Sequence, residues 1–207
     1  MPTLKPRKRP KQQRSRETYD AIVAATTRVL KREGYEKAST NRIAEVAGVS
    51  VGSLYQYFPN KQALVIAVVE RHSDQLIAML ERTIADLGAA PIPDAVRTFV
   101  RAMLAAHALD PQLHRVLVQQ VMHIGLEHTR KFDRRAQQLV RAYLEAHADE
   151  VLPDDYDTAA FVLCHAVDAV IHMAVLESDA SAAKLEDGTL EREICALVLR
   201  YLLGSAD

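Results

Sequence analysis

Hydroxyl-bearing side chains and a lysine are concentrated between residues 38 and 61, where the chain reads ASTNRIAEVAGVSVGSLYQYFPNK. Serine and tyrosine hydroxyls can donate hydrogen bonds to phosphate oxygens, and lysine supplies a positive charge. Tyr57 closes one predicted helix and Lys61 opens the next, where the free amides of a helix N-terminus also favour an anion. The spacing therefore predicts contact with a phosphate-bearing partner.

A second group of polar residues interrupts the most apolar stretch of the chain. His165, Asp168 and His172 are three and four residues apart, so they share one face of a helix. They are candidates for the polar groups of a ligand pocket, for three ligands of a divalent metal such as a hydrolase would use, or for packing at an interface. Histidines within apolar helices are more often hydrogen-bonded core or interface residues, and the spacing leaves all three interpretations open.

The chain lacks several sequence motifs of common catalytic sites. It has no glycine-rich phosphate loop and no His-Glu-x-x-His. Its two cysteines, Cys164 and Cys195, fit neither a disulfide framework nor a Cys-x-x-Cys metal motif. We therefore predict a protein that is not an enzyme, with no catalytic residues, no cofactor and no metal site.

The net charge of −1 conceals an uneven distribution. Residues 1–60 contain 12 lysines and arginines against 5 acidic residues, whereas residues 61–207 contain 14 against 22. Such a basic segment is typical of a nucleic-acid-binding protein, because neutralised phosphates release condensed counterions. We predict a flexible basic arm over residues 1–15 that enters a DNA minor groove, with a solvated tail as the alternative.

No membrane segment is predicted. The basic N-terminus is not followed by an apolar run, so it has the pattern of neither a signal peptide nor an anchor. The longest apolar stretch, Ala159–Leu176, contains three polar residues, which favours a buried helix over a membrane-spanning one. Because the cysteines also suit a reducing compartment, we expect a cytoplasmic protein without a membrane partner.

Apolar residues recur with a helical period along nearly the whole chain, which predicts an all-α fold. In the first predicted helix they form one buried face that starts at Ile22. Ser15 is the predicted N-cap of this helix, and Gly34 is its predicted C-terminal stop.

Two short helices follow, separated by a three-residue turn. Ser39 is the predicted N-cap of the first, which Gly48 ends. Ser50 is the predicted N-cap of the second, Val51–Tyr57, which Pro59 ends. Two short helices joined by a tight glycine-containing turn form a helix-turn-helix, whose second helix can lie in the major groove of DNA. A helical hairpin that only forms core is the alternative.

Residues 16–65 resemble the N-terminal signature of the tetracycline-repressor (TetR) family of bacterial transcriptional regulators. The matching residues are Gly34, Tyr35, Ser39, Ile43, Ala44, Ala47, Gly48, Val49, Ser50, Gly52, Leu54, Tyr55, Tyr57, Phe58, Lys61 and Leu64. The resemblance implies an all-helical homodimer with a three-helix DNA-binding domain and a C-terminal domain for a small ligand or a partner. It also implies that Val51–Tyr57 is the recognition helix. The candidate DNA-binding residues are Ser39, Thr40, Asn41, Arg42, Ser50, Val51, Gly52, Ser53, Tyr55, Gln56, Tyr57 and Lys61.

Arg42 departs from the pattern of the family. Many relatives carry an acidic residue at this position. The extra cation predicts an additional phosphate contact at the start of the helix-turn-helix.

Beyond residue 65 the resemblance fades, and periodicity alone predicts the helices. Lys61–Leu87 has the pattern of one long amphipathic helix that joins two domains. Further helices are predicted at 94–109, 111–122, 124–148, 156–176 and 190–203. The predicted organisation is a basic arm (1–15), a helix-turn-helix domain (16–60) and a helical regulatory and dimerisation domain (61–207), with about nine helices in all.

The predicted helix Ala159–Leu176 is apolar on nearly every face. Such a helix must be covered all round, and in a chain of this size a second subunit is an economical cover. We predict a homodimer through the C-terminal helices, about 156–177 and 190–203. The alternative is the central helix of a monomeric bundle.

Together these features predict a regulator of transcription. In this hypothesis a repressor binds a pseudo-palindromic operator on double-stranded DNA as a homodimer and is released by a small-molecule effector. The alternative is a constitutive DNA-binding or partner-binding module of the same fold with no effector. The candidate ligand-binding residues are Phe99, Met103, His107, Val121, Met122, Tyr143, Phe161, His165, Asp168 and His172.

Overall fold

The computed structural model describes residues 12–87, 90–108, 110, 112–117, 130–177 and 187–204, and these residues form helices and short connections without a strand. The all-α prediction is confirmed, and the predicted bounds of the third and fourth helices match the structure. In chain order the helices are α1 (Gln13–Lys37), α2 (Thr40–Ala47), α3 (Val51–Tyr57), α4 (Lys61–Leu87), α5 (Ile92–Ala108), α6 (112–117), α7 (Arg130–Ala146), α8 (Tyr156–Glu177) and α9 (Thr189–Leu203).

The chain divides into two compact units. The N-terminal unit comprises the described residues up to Ser73 together with 112–117, and the C-terminal unit comprises those from Asp74 to 110 and from Arg130 onward. The division therefore falls within α4, whereas the sequence placed a boundary at residue 60. Of the predicted arm, residues 1–11 lie outside the described residues, while residues 13–15 are helical.

The N-terminal unit is built around apolar side chains that recur every three or four residues along α1 and α4. Burying such a leucine, isoleucine or phenylalanine side chain contributes about 1.5–3 kcal/mol to folding. Side chains from α2, α3, the α3–α4 connection and α6 complete this core. Its largest members are Ile22, Leu30, Ile43, Leu54, Phe58 and Leu64.

The first turn of α1 differs from the prediction for Ser15. The helix begins at Gln13 with Gln12 as N-cap, and no side chain caps it. Ser15 lies inside the helix, where its hydroxyl pairs with the hydroxyl of Tyr57 at 2.9 Å. At the other end, Gly34 has φ +74° and interrupts the helical backbone, as the sequence predicted.

The C-terminal unit packs α5, α7, α8 and α9 around a second core, together with the end of α4. By length and composition alone, Tyr156–Ala174 of α8 could cross a membrane. However, Ala159, Val167 and Ile171 are buried in this core, which is the environment of a core helix.

Within the part of the chain that the structure describes, one side of α8 is buried and the other is exposed. Leu163, Val167 and Ile171 are buried. Large apolar side chains on the rest of α8 and on α9 remain exposed, namely Phe161, Val162, Val170, Met173, Leu197, Tyr201 and Leu203.

Candidate functional site

The turn between α2 and α3 is fixed by its capping residues. The hydroxyl of Ser39 accepts a hydrogen bond from the amide of Arg42 at 3.2 Å, and the hydroxyl of Ser50 accepts one from the amide of Ser53 at 3.0 Å. Gly48 ends α2 at φ +68°, a left-handed conformation that favours glycine. These contacts confirm the predicted N-caps and the predicted end of α2.

Ser50 also stands at the centre of a Gly-x-Ser-x-Gly pattern, residues 48–52. In hydrolases this pattern forms a sharp turn from a strand into a helix and exposes a nucleophilic serine. Here the pattern joins two helices, and the Ser50 hydroxyl is engaged with the amide and the hydroxyl of Ser53. The local structure is therefore that of a helix cap.

The helix α3 has one buried face and one exposed face. Leu54 is fully buried, whereas Val51, Gly52 and Gln56 are exposed and Tyr55 is 40% exposed. A methyl group added at Gly52 would meet only the Ser50 hydroxyl, at 3.9 Å. Because Gly52 has no side chain, the exposed face is narrow at its N-terminal end. A DNA backbone or base edge could approach it closely there.

Two hydroxyl pairs lie on this exposed surface. The hydroxyls of Thr40 and Tyr55 are 3.1 Å apart, and those of Ser50 and Ser53 are 2.8 Å apart. Each pair holds its side chains in a defined orientation and leaves further donor or acceptor capacity for a ligand. This is the geometry expected of a surface that contacts phosphates and base edges.

Tyr57 lies away from this surface. Its ring is only 8% exposed and contacts the ring of Tyr19 edge-on, at a centroid distance of 6.4 Å. Because its hydroxyl pairs with Ser15 of α1, Tyr57 helps to hold the end of α3 against α1.

The guanidinium of Arg42 is held by two carboxylates. Its Nε donates to Glu33 at 3.0 Å, and Nη1 lies 2.9 Å from a carboxylate oxygen of Glu45. The three side chains together carry a net negative charge. This environment is less favourable for a phosphate than a lone arginine would be.

Lys61 is bound to the end of the first helix. Its ammonium donates to the carbonyl of Tyr35 at 2.7 Å and lies 4.0 Å from the centroid of the Tyr35 ring, a cation–π contact. The ammonium has three donors, so this contact leaves capacity for a phosphate.

Replacing Lys61 by methionine distinguishes the contribution of Lys61 to folding from its contribution to DNA binding. We expect the free energy of unfolding to fall by about 1–3 kcal/mol, because a part-buried hydrogen bond and a cation–π contact are lost. We also expect the slope of log K against log salt for DNA binding to decrease by about 1, as for one lost phosphate contact. Chemical denaturation and binding titrations from low to high salt measure the two effects. Arg134→Met, which removes an exposed cation of α7, is the control; an unchanged slope in Lys61→Met would leave Lys61 a purely structural role.

A small apolar cavity of about 50 Å³ lies within the C-terminal unit. Five helices, α4, α5, α7, α8 and α9, contribute to its lining. The lining residues are Ile84, Leu87, Ala95, Val96, Phe99, Val140, Tyr143, Leu144, Leu163, Val167, Val198 and Leu202.

Among the candidate ligand-binding residues whose side chains the structure describes, Phe99 and Tyr143 line this cavity. Met103 is buried in the core outside the lining. Val121 and Met122 lie outside the described residues, as does the side chain of His107. The other lining residues could not be separated from ordinary core positions by periodicity, because a cavity and a filled core have the same apolar pattern.

The remaining four candidates lie together on α8. The Nδ1 of His172 is 2.8 Å from a carboxylate oxygen of Asp168, and the rings of Phe161 and His165 stack at a centroid distance of 4.3 Å. Phe161 and His165 are exposed, and the histidine–aspartate pair is half-buried. None of the four lines the cavity.

Asp133 of α7 adds a second carboxylate near these histidines. Burial opposes the charged form of His172, but the hydrogen bond and charge of Asp168 raise its pKa overall. Burial and the charge of Asp168 also raise the pKa of Asp133, while His165 and His172 act in the opposite direction. Within the described ranges, no group of three or more His, Cys, Asp or Glu side chains is arranged to hold a metal ion.

Two parts of the chain match two known sequence families. Residues 22–68 match the family described as bacterial regulatory proteins, tetR family, and residues 91–202, more than half of the chain, match the tetracyclin repressor-like C-terminal domain. The chain belongs to the TetR family. TetR-family proteins are helix-turn-helix transcription regulators that bind DNA and act as homodimers.

Curated relatives match over about a third to a half of the chain. The uncharacterised HTH-type transcriptional regulator YvkB of Bacillus subtilis is 39% identical over 72 residues, 35% of this chain and 38% of the relative. The HTH-type transcriptional regulator RutR of Escherichia coli K12 is 32% identical over 102 residues, 49% of this chain and 47% of the relative. The chain thus spans less than half the length of these TetR-like relatives.

Solved structures share the fold over nearly the whole chain. The fatty acid degradation regulator FadR of Bacillus halodurans superposes with a TM-score of 0.69 at 21% identity, over 92% of this chain and 97% of that one. SmeT, the repressor of a Stenotrophomonas maltophilia multidrug efflux pump, gives 0.65 at 20% identity, over 92% and 94%. At such identities the similarity shows the TetR fold alone.

Proposed function

We propose that this TetR-family regulator is a repressor that binds a pseudo-palindromic operator as a homodimer and is released by a small-molecule effector. The observation that carries the proposal is the exposed face of α3. It is narrow at Gly52, presents the hydroxyls of Ser53 and Tyr55, and stands on a buried side that anchors it to the core.

The proposed contacts with DNA fall into two groups. Val51, Gly52, Ser53, Tyr55 and Gln56 face base edges and adjacent phosphates in the major groove. The remaining candidates contact the phosphate backbone, except Tyr57, which holds α3 in place; Arg42 makes the weakest phosphate contact. These candidates are Ser39, Thr40, Asn41, Arg42, Ser50, Tyr57 and Lys61.

The proposed dimer forms through α8 and α9. Phe161, Val170 and Met173 on α8 and Leu197 and Tyr201 on α9 are large apolar side chains that the chain leaves exposed. Exposed apolar patches on soluble proteins commonly mark interfaces. In such a symmetric dimer, a pseudo-palindromic operator requires the two α3 helices to lie one DNA turn, about 34 Å, apart.

Release by an effector is proposed as a difference in affinity between two conformers. A ligand that binds the C-terminal unit better in the conformer with lower DNA affinity shifts the population toward that conformer. The same account places the protein in the bacterial cytoplasm, where its operator lies.

One observation favours the alternative of a constitutive DNA-binding or partner-binding module. The cavity of about 50 Å³ is smaller than the roughly 300–1,000 Å³ of typical ligand pockets. An effector must therefore displace side chains of the lining. If no ligand changes operator affinity, the constitutive alternative is favoured.

Substituting Tyr55 by alanine tests the recognition helix. We expect operator affinity to fall about 10-fold or more, because a groove-facing side chain typically contributes about 1–3 kcal/mol. Dimerisation and stability should persist, because Tyr55 is substantially exposed.

The control Tyr55→Phe removes only the hydroxyl that pairs with Thr40, so it measures the contribution of that hydroxyl to operator affinity. Gel-shift titrations on the upstream region of the gene at several salt concentrations measure the operator affinity of both variants. Full binding by Tyr55→Ala would show that α3 is wrongly assigned, and a salt-independent affinity would contradict a phosphate-rich interface.

A further inference from the structure

The lining of the cavity in the C-terminal unit is apolar on every helix that contributes to it. Among the residues that the structure describes, leucine, isoleucine, valine, alanine and phenylalanine supply the lining together with Tyr143. None of these described lining residues carries a charge. Burying an ion without a partner in such surroundings costs several kcal/mol, so the lining selects against an ionised group.

Tyr143 is the one polar side chain among the described residues of the lining, and its hydroxyl points to a backbone acceptor. The hydroxyl donates to the carbonyl of Ala90 at 3.4 Å, a long and therefore weak hydrogen bond. Burial and the negative charge of Glu150 raise the pKa of Tyr143, so the phenol stays neutral. Tyr143 therefore lines the cavity through the carbon atoms of its ring, and an anionic group on a ligand would meet the unfavourable field of Glu150.

The polar residues of α8 do not place an ionic partner for a ligand in the cavity. His165, Asp168 and His172 are absent from the lining, and His172 already bonds Asp168 at 2.8 Å. They therefore provide no ionic partner inside the cavity.

We propose that the ligand of this cavity is a neutral, mainly hydrocarbon molecule, held by apolar contacts. The proposal rests on the proposed function, in which the C-terminal unit binds an effector, and it names the chemical class of that effector. At about 50 Å³, the cavity holds roughly three to five water-sized spheres of about 10–15 Å³ each. An unbranched alkyl chain therefore enters with less displacement of side chains than a ring system does.

Isothermal titration calorimetry with 1-octanol and octanoate at pH 8 tests the charge preference on the full-length protein. The two probes share an eight-carbon chain, and only octanoate carries a charge. We expect 1-octanol to bind at least tenfold more tightly, with a negative heat-capacity change from apolar burial. Equal or tighter binding of octanoate, or no saturable binding of 1-octanol, would overturn the proposal.

Two substitutions in α5 test the location. Val96 lines the cavity, and Val100, one turn later, is equally part of the core but not of the lining. Val96→Phe fills the cavity and should weaken 1-octanol binding at least tenfold, while Val100→Leu should change it less than twofold. Val140→Phe fills the cavity from α7 and replaces Val96→Phe if circular dichroism shows that the latter is unfolded. Wild-type affinity in a folded, cavity-filled variant would contradict the proposed site.

Operator binding in the presence of 1-octanol separates this inference from the proposed function. If 1-octanol binds as expected but leaves operator affinity unchanged, the ligand class stands and release by this ligand fails. If octanoate is preferred and releases the operator, effector control stands and the ligand class is wrong.

Discussion

Replacing Leu197 by glutamate is expected to dissociate the dimer and to weaken operator binding by 100-fold or more. Leu197 is 54% exposed on α9, so in an isolated chain the substitution would change stability by no more than about 0.5 kcal/mol. In a symmetric interface the same change buries two carboxylates without partners. Each tenfold loss of affinity corresponds to about 1.4 kcal/mol, and unpaired buried charges cost several times that amount.

Sedimentation at several concentrations measures the monomer–dimer equilibrium of Leu197→Glu, and gel-shift titrations measure its operator affinity. The matched control is Leu152→Glu, because Leu152 is 68% exposed and lies on the loop between α7 and α8. The control should remain dimeric and bind the operator normally. If Leu197→Glu sediments as wild type does, α9 does not form the interface, and the exposed apolar side chains of this unit need another explanation.

Residue types that act on their immediate neighbours made the helix-turn-helix predictable. Ser39 and Ser50 each accept a hydrogen bond from an amide three residues later, and such caps need only local sequence. Gly48 takes up a left-handed conformation that few other residues adopt. Because these signals act locally, the bounds of α3 could be predicted to the residue.

Contacts between residues distant in the chain could not be predicted in the same way. Lys61 bonds the carbonyl of Tyr35, which is 26 residues away, and Tyr57 pairs with Ser15 across 42 residues. Both partners depend on how α1 packs against α3 and α4. Helical periodicity gives the face of a residue but not the group that it meets there. For this reason a tyrosine expected at the DNA surface is buried instead.

The surroundings of the polar residues of α8 could not be predicted from helical periodicity either. The spacing of His165, Asp168 and His172 placed them on one face, and the bond between Asp168 and His172 agrees with that. The spacing alone could not indicate whether this face points into the cavity, into the core or outward. The structure excludes these residues from the lining of the cavity, and the exposed Phe161 and His165 on the same helix favour a position at the proposed dimer interface.

Phe58→Ala is expected to lower the free energy of unfolding of the N-terminal unit by about 3–5 kcal/mol, because it removes a large aromatic side chain from a filled core. Phe58 is fully buried and lies 5.0 Å, centroid to centroid, from the ring of Tyr19. A loss of this size is a large part of the stability of a small unit. Phe58→Leu preserves most of the volume and should cost less than about 1.5 kcal/mol.

Comparison with Tyr55→Ala separates folding from recognition in the same unit. Both substitutions remove an aromatic ring near the end of α3, but Tyr55 is exposed and Phe58 is buried. Thermal and chemical denaturation should show a large loss for Phe58→Ala and almost none for Tyr55→Ala. At a temperature where both variants are folded, operator affinity should fall about 10-fold or more in Tyr55→Ala and be largely kept in Phe58→Ala. If the two variants lose stability equally, α3 does not have the buried and exposed faces on which its proposed role in DNA recognition depends.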